Sequence, residues 1–148
     1  MQIKNPASEE IIADLQETSA TELKVKLEYL REGQKEWTKK SVEERLACIV
    51  KFGNLIQENV ERLATILTSE TGKPLQQSLN EIKGAQNRIE HLKQNAKKWL
   101  ASETLVDSGS THEKIDYEPL GVIANISAWN FPYNVGYNVF LYALVAGN

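Results

Sequence analysis

Charge stops before the chain does. Residues 119–148 contain no Asp, Glu, Lys or Arg, although the chain carries 17 basic and 20 acidic side chains, the last of them Glu118. Charged side chains are almost never buried unless paired, so a long segment without any reads as one that is covered. A membrane does not supply the cover, because Asn130, Pro132, Asn134 and Asn138 interrupt the run before it reaches the ~18 apolar residues of a span. The segment is expected to be core of a domain larger than residues 1–148. Within it, residues 122–126 (Val-Ile-Ala-Asn-Ile) are short, mostly apolar and rich in β-branched side chains, which predicts a strand covered on both faces of a parallel sheet. A tight polar corner follows at Trp129-Asn130-Phe131, and Pro132 suits a first helical turn. Residues 135–146, apolar except for Asn138, predict a buried helix, with Gly147-Asn148 as its stop. In open α/β sheets such a corner, outside the carboxyl end of a strand, is where ligands bind. One strand and one helix cannot satisfy a sheet's backbone ladder, so strand partners are expected beyond Asn148.

Upstream, the pattern is mainly helical. Asn5-Pro6-Ala7-Ser8 between apolar-containing flanks predicts a small strand-turn-strand over residues 3–16. Ser19-Ala-Thr-Glu22 forms a capping box, and Leu23, Leu27, Leu30 and Trp37 recur at helical spacing, predicting a helix that ends near Trp37. A second box, Ser41-Val-Glu-Glu44, opens one long helix or two abutting ones carrying Leu46, Ile49, Val50, Ile56, Val60, Leu63 and Leu67. Gly72 and Pro74 break it. Pro74 fits the first position of a third amphipathic helix that runs through Ile82, Ala85, Ile89 and Leu92 to about Leu100. Residues 104–117, with Asp107-Ser-Gly-Ser110 between two extended-type runs, predict a β-hairpin.

The general catalytic patterns mostly fail. A net charge of −3 and pI near 5.5, with Lys39-Lys40 and Lys97-Lys98 too isolated to form a basic stripe, argue against nucleic acid. Gly72-Lys73 is no phosphate loop, since Leu67 stands where its first glycine is required and Pro74 where Ser or Thr must bind magnesium. No Gly-x-Gly-x-x-Gly or Gly-x-Ser-x-Gly occurs. His91, His112 and Cys48 have no metal-ligand spacing, so no metal is expected and the histidines are taken as solvated. Cys48, between Ala47 and Ile49, is taken as a small buried hydrophobe without an activating neighbour. Glu43-Glu44 and Glu81 are taken as ordinary helix-favouring charges on first turns or polar faces. A single cysteine and the lack of an apolar leader at Met1 are consistent with a cytoplasmic protein.

The corner survives this elimination, and its sequence carries a resemblance. Glu118-Pro-Leu-Gly-Val-Ile-Ala-Asn-Ile-Ser-Ala-Trp-Asn-Phe-Pro132 closely resembles the NAD(P)-dependent aldehyde dehydrogenase family. Asn5-Pro6-Ala7, Glu43-Glu44-Arg45-Leu46, Glu70-Thr-Gly-Lys-Pro74 and Ala143-Leu-Val-Ala-Gly-Asn148 resemble it at similar relative positions, so the resemblance covers essentially the whole chain. It implies the N-terminal part of an α/β aldehyde dehydrogenase fold. Residues 1–103 would be the helical part of a cofactor-binding domain and 104–118 a bridging, oligomerising hairpin. Residues 119–148 would start a Rossmann-like parallel sheet.

The resemblance also implies roles. Asn130 would be catalytic, donating its side-chain amide to the oxyanion formed when a cysteine thiolate attacks the aldehyde. Ile126, Ser127, Ala128 and Trp129 would line the NAD or NADP cofactor, largely through backbone. Ala128 departs from the proline common before the tryptophan, and Ser127 is more polar than a frequent isoleucine; both leave the backbone contact open. For Asn130 a role as helix N-cap is the competing use of the same side chain. The nucleophilic cysteine, the general-base glutamate, the lysine near the cofactor ribose and the glycine-containing cofactor segment are implied to lie past residue 148. Residues 1–148 alone are therefore expected to oxidise no aldehyde, while the complete protein would act on a small-molecule aldehyde as a homo-oligomer. The alternative is a non-catalytic helical module whose uncharged segment docks on a partner.

Overall fold

In the computed structural model, which describes residues 1–148, the chain begins with a small antiparallel pair. Asn5 Oδ1 accepts the Ala7 N–H at 2.9 Å, a side-chain turn that folds β1 (Gln2–Lys4) back on β2 (Ile11–Asp14), with Ile3 opposite Ala13. Two reciprocal capping boxes then start helices. Ser19 Oγ accepts the Glu22 N–H at 3.2 Å while the Glu22 carboxylate accepts the Ser19 N–H at 2.7 Å, opening α1 (Ala20–Trp37). Ser41 and Glu44 repeat this at 3.1 and 2.7 Å to open α2 (Val42–Glu58). The long apolar rhythm that follows is two abutting helices, α3 (Val60–Thr71) restarting at Asn59. Gly72, at φ 73°, is the left-handed stop of α3. Pro74 takes the cap position before α4 (Leu75–Trp99), one residue earlier than its predicted place inside the first turn.

The 25-residue α4 is the spine of the molecule. Its inward stripe packs against α2 through Ile49, Ile89, Leu92 and Ala96, and this cluster takes in Leu141 and Val145 of α5 (Tyr137–Val145). A second cluster joins Ile56 and Ala64 to Ile82. At Gly53 α2 and α4 lie so close that an added Cβ would be 2.9 Å from Ile89 Cδ1. By contrast α1 buries nothing and is tied on by side-chain hydrogen bonds, Trp37 Nε1 donating to the Leu144 carbonyl at 2.8 Å and Gln34 Nε2 to the Gly147 carbonyl at 3.1 Å. The hairpin forms, β3 (Glu103–Ser108) against β4 (Thr111–Ile115) with Ser108 opposite Thr111, and is exposed on both faces.

Three expectations are corrected. Residues 122–126 form no strand; both sheets of the chain are two-stranded and antiparallel, and an isolated segment has no ladder to join. Within residues 1–148 the segment stays uncovered, as expected if a larger domain supplies its cover, with Leu120 90%, Ile126 99% and Trp129 79% exposed. The helix after Pro132 begins as a π-helical turn, Pro132–Gly136, and α5 buries only Leu141 and Val145, so it is covered on one side and not all round. Cys48 is exposed. The buried positions of α2 are Arg45, Ile49, Gly53 and Ile56, a stripe that places Cys48 about 100° away from its neighbour Ile49.

Candidate active-site corner

A helix start leaves backbone N–H groups without intrahelical partners, and here they are satisfied from a distant helix. The Tyr133 and Asn134 N–H groups donate to Glu81 Oε1 at 2.9 and 3.2 Å. The other oxygen of that carboxylate accepts from Lys73 Nζ at 2.6 Å, a pair whose side chains are only 9% (Lys73) and 2% (Glu81) exposed. Lys73 Nζ donates in addition to the backbone carbonyl of Asn130 and lies 3.9 Å from the centroid of the Phe131 ring. Lys73 reaches this point because Gly72 ends α3 and Pro74 precedes α4, so the chain turns directly under the corner. Glu81 follows about two turns into α4. Three further contacts fix the surroundings. Arg88 donates to the Asn134 side chain, Asn125 Nδ2 to the Gly136 carbonyl at 3.0 Å, and Asn148 Oδ1 accepts the Leu120 and Gly121 N–H groups at 2.6 and 3.0 Å.

Aromatic packing closes the inner side of the corner. Tyr137 meets Tyr133, Phe52 and Phe140 with ring centroids 5.4, 5.6 and 4.7 Å apart. Burial pushes the Tyr137 hydroxyl up to about 12, with the neighbouring Tyr133 adding to it. Tyr133 is raised too, by burial first and then by the negative charges of Glu70 and Glu81.

Asn130 itself is exposed, and its side-chain amide makes no hydrogen bond; only its backbone carbonyl is held. The N-cap position is Phe131, which makes no side-chain cap, and Glu81 accepts from the first-turn N–H groups in place of a local side chain. Ile126, Ser127, Ala128 and Trp129 run into the corner as an exposed segment outside any ladder, and their backbone groups make no hydrogen bond within the chain. All five residues are contiguous, and the structure brings Lys73 and Glu81 to them. A separate apolar cleft of about 260 Å³, lined by Leu30, Trp37, Ile123, Phe140 and Leu144, lies between α1 and α5 and includes none of residues 126–130.

Sequence reasoning missed Lys73 and Glu81, reading one as part of a helix breaker and the other as a surface charge. A signal was present for Glu81. It shares the helical spacing of Ser78, Ile82 and Ala85, so a carboxylate occupies a core position of α4 and requires buried partners. The histidines stand apart from the corner, His91 against Trp99 with centroids 5.2 Å apart and His112 paired with Asp107 at 2.7 Å.

Known proteins share both the sequence and this architecture. The family model described as the aldehyde dehydrogenase family matches residues 1–148. The 3,6-anhydro-alpha-L-galactose dehydrogenase of Vibrio sp. (strain EJY3) is 32% identical over 147 residues, covering 99% of this chain and 31% of that protein. The crystal structure of an aldehyde dehydrogenase from Brucella melitensis biovar abortus 2308 superposes with a TM-score of 0.93 at 29% identity, covering 99% of this chain and 30% of the other. The NADP-dependent glyceraldehyde-3-phosphate dehydrogenase from Bacillus halodurans C-125, solved with NADP, gives a TM-score of 0.91 at 27% identity, over 100% and 32%. The chain therefore spans about a third of the length of its relatives. A match running from Met1 to Asn148, in sequence and in fold, means that the chain belongs to the aldehyde dehydrogenase family, as an N-terminal portion of it.

Proposed function

We propose that residues 1–148 contribute one wall of the active site of an NAD(P)-dependent aldehyde dehydrogenase, in which Asn130 is the oxyanion donor. The observation that carries this reading is the state of Asn130: a neutral amide with no partner, on a backbone pinned by Lys73 and preceding a helix start capped by Glu81. A donor preset in this way stabilises charge developing on the aldehyde oxygen without reorganising. In this reading the thiolate that attacks the aldehyde, and the carboxylate that activates water to release the acid from the thioester, are supplied from outside residues 1–148.

Residues 126–129 fit a cofactor wall. Their uncommitted backbone N–H and C=O groups and the exposed side chains of Ile126 and Trp129 offer the mixed polar and apolar surface that a dinucleotide needs. A nicotinamide held along residues 126–129 would supply the hydride acceptor for oxidation of the substrate at this corner. What this chain does toward it is to present that wall and shield one side of the site from water.

In the complete enzyme, Asn130→Ala is expected to lower kcat about 10²–10³-fold. Steady-state kinetics that show an unchanged kcat overturn the reading. The exposed Leu120, Ile126 and Trp129 would also suit a docking segment of a non-catalytic module. A reading frame that continues past Asn148 and supplies a cysteine and a glutamate excludes that alternative.

A further inference from the structure

We propose that Lys73 and Glu81 are positioning residues, which keep the Asn130 amide free for the reacting oxygen by taking over the work of the helix start. The proposal rests on the reading of Asn130 as the oxyanion donor. The first turn after Phe131 must have its N–H groups satisfied, and the local sequence supplies an obvious candidate. Asn130 stands three residues before Tyr133, the spacing at which an asparagine Oδ1 caps a helix by accepting an N–H. An Asn130 used that way would turn its amide toward the helix. Instead, the Tyr133 N–H is given to Glu81 Oε1 and the Asn134 N–H is shared between that oxygen and the Phe131 carbonyl, the carboxylate coming from a helix more than fifty residues earlier in sequence.

A buried carboxylate needs a counter-charge, and Lys73 supplies it through Glu81 Oε2. The same ammonium holds the Asn130 carbonyl and sits over the Phe131 ring, so it fixes the residue that carries the amide as well as its successor. One ion pair thus sets both sides of the corner, the backbone of Asn130 on one side and the helix start on the other. Asn134, the second residue capped, is held further by Arg88.

The test uses the complete enzyme and the variants E81L, E81Q and N130A, with the E81L/N130A double. E81L is expected to lower kcat about 10- to 100-fold while KM for aldehyde and for cofactor changes less than about threefold. E81Q keeps an acceptor for the two N–H groups but loses the ion pair, and is expected to fall between wild type and E81L. The double variant is expected within about threefold of N130A alone, because residues that act as a unit are not additive. Amide exchange at Tyr133 and Asn134 is expected to quicken at least about tenfold in E81L with the α2 core unchanged. Should E81L not fold, E81Q is read by kcat and amide exchange alike.

The outcomes separate. Losses that multiply independently in the double variant, or wild-type kcat and wild-type exchange in the Glu81 variant, overturn the positioning role while Asn130 stands. A wild-type kcat in N130A overturns the oxyanion reading itself, and the positioning role falls with it.

Discussion

Glu81 receives three donors, Lys73 Nζ and the Tyr133 and Asn134 N–H groups, and a buried carboxylate is tolerated only when its lone pairs are used in this way. Cys48 shows the opposite case, a chemically capable side chain with nothing around it to give it a role. Because Cys48 is exposed, Cys48→Ser is expected to leave kcat within about twofold and stability within ~0.5 kcal/mol, measured by kinetics and urea unfolding. Tyr137 makes a pH prediction. Its folded-state pKa is raised from 10.0 to about 12, so the fold favours the neutral hydroxyl. That contribution to stability is fully present below pH 10 and is lost as the pH rises through about 12. Absorbance at the phenolate band should show a tyrosine ionising only near pH 12 that is missing from Tyr137→Phe; its ionisation near pH 10 would contradict the packing described.

At the scale of elements, what could be read early was what neighbouring residues decide. Both capping boxes formed, because their partners lie three residues apart and need nothing else. Gly72 and Pro74 broke the helix for equally local reasons, a left-handed φ and a missing N–H. Residues 122–126 went the other way. A strand exists through its partner's N–H and C=O groups, so β-branched side chains alone do not make one. Packing between elements gives a sharp test at Gly53, where an alanine Cβ would press on Ile89 Cδ1 at 2.9 Å and on Gln86 Oε1 at 3.2 Å. Gly53→Ala is expected to cost about 1–3 kcal/mol through overpacking, despite the gain in helix propensity. Chemical denaturation would detect it, and a stabilised variant would show that α2 and α4 can separate without penalty.

For the whole molecule, α4 organises what the chain contains, and Ile126 and Trp129, two of its most exposed apolar side chains, lie in the segment proposed to face cofactor and substrate. No helix is long and apolar enough to cross a membrane. The hairpin of β3 and β4 stands exposed on both faces, with unpaired edges suited to strand pairing between subunits. Deleting residues 108–111 in the complete enzyme is expected to shift its mass in light scattering toward smaller species; an unchanged oligomer would count against a bridging role.

By itself the sequence determined the starts of α1 and α2, the break at Gly72 and Pro74, the two hairpin turns and the corner motif with Asn130, since each depends on residues a few positions apart. Only the tertiary structure decided what Lys73 and Glu81 do. The corner groups they hold lie more than fifty residues away, and a charge at a core position of a helix looks like any other until the fold shows which N–H groups it faces. The corner is therefore written in one stretch of sequence and held in place by another, because a helix start needs an acceptor and does not specify which part of the chain provides it.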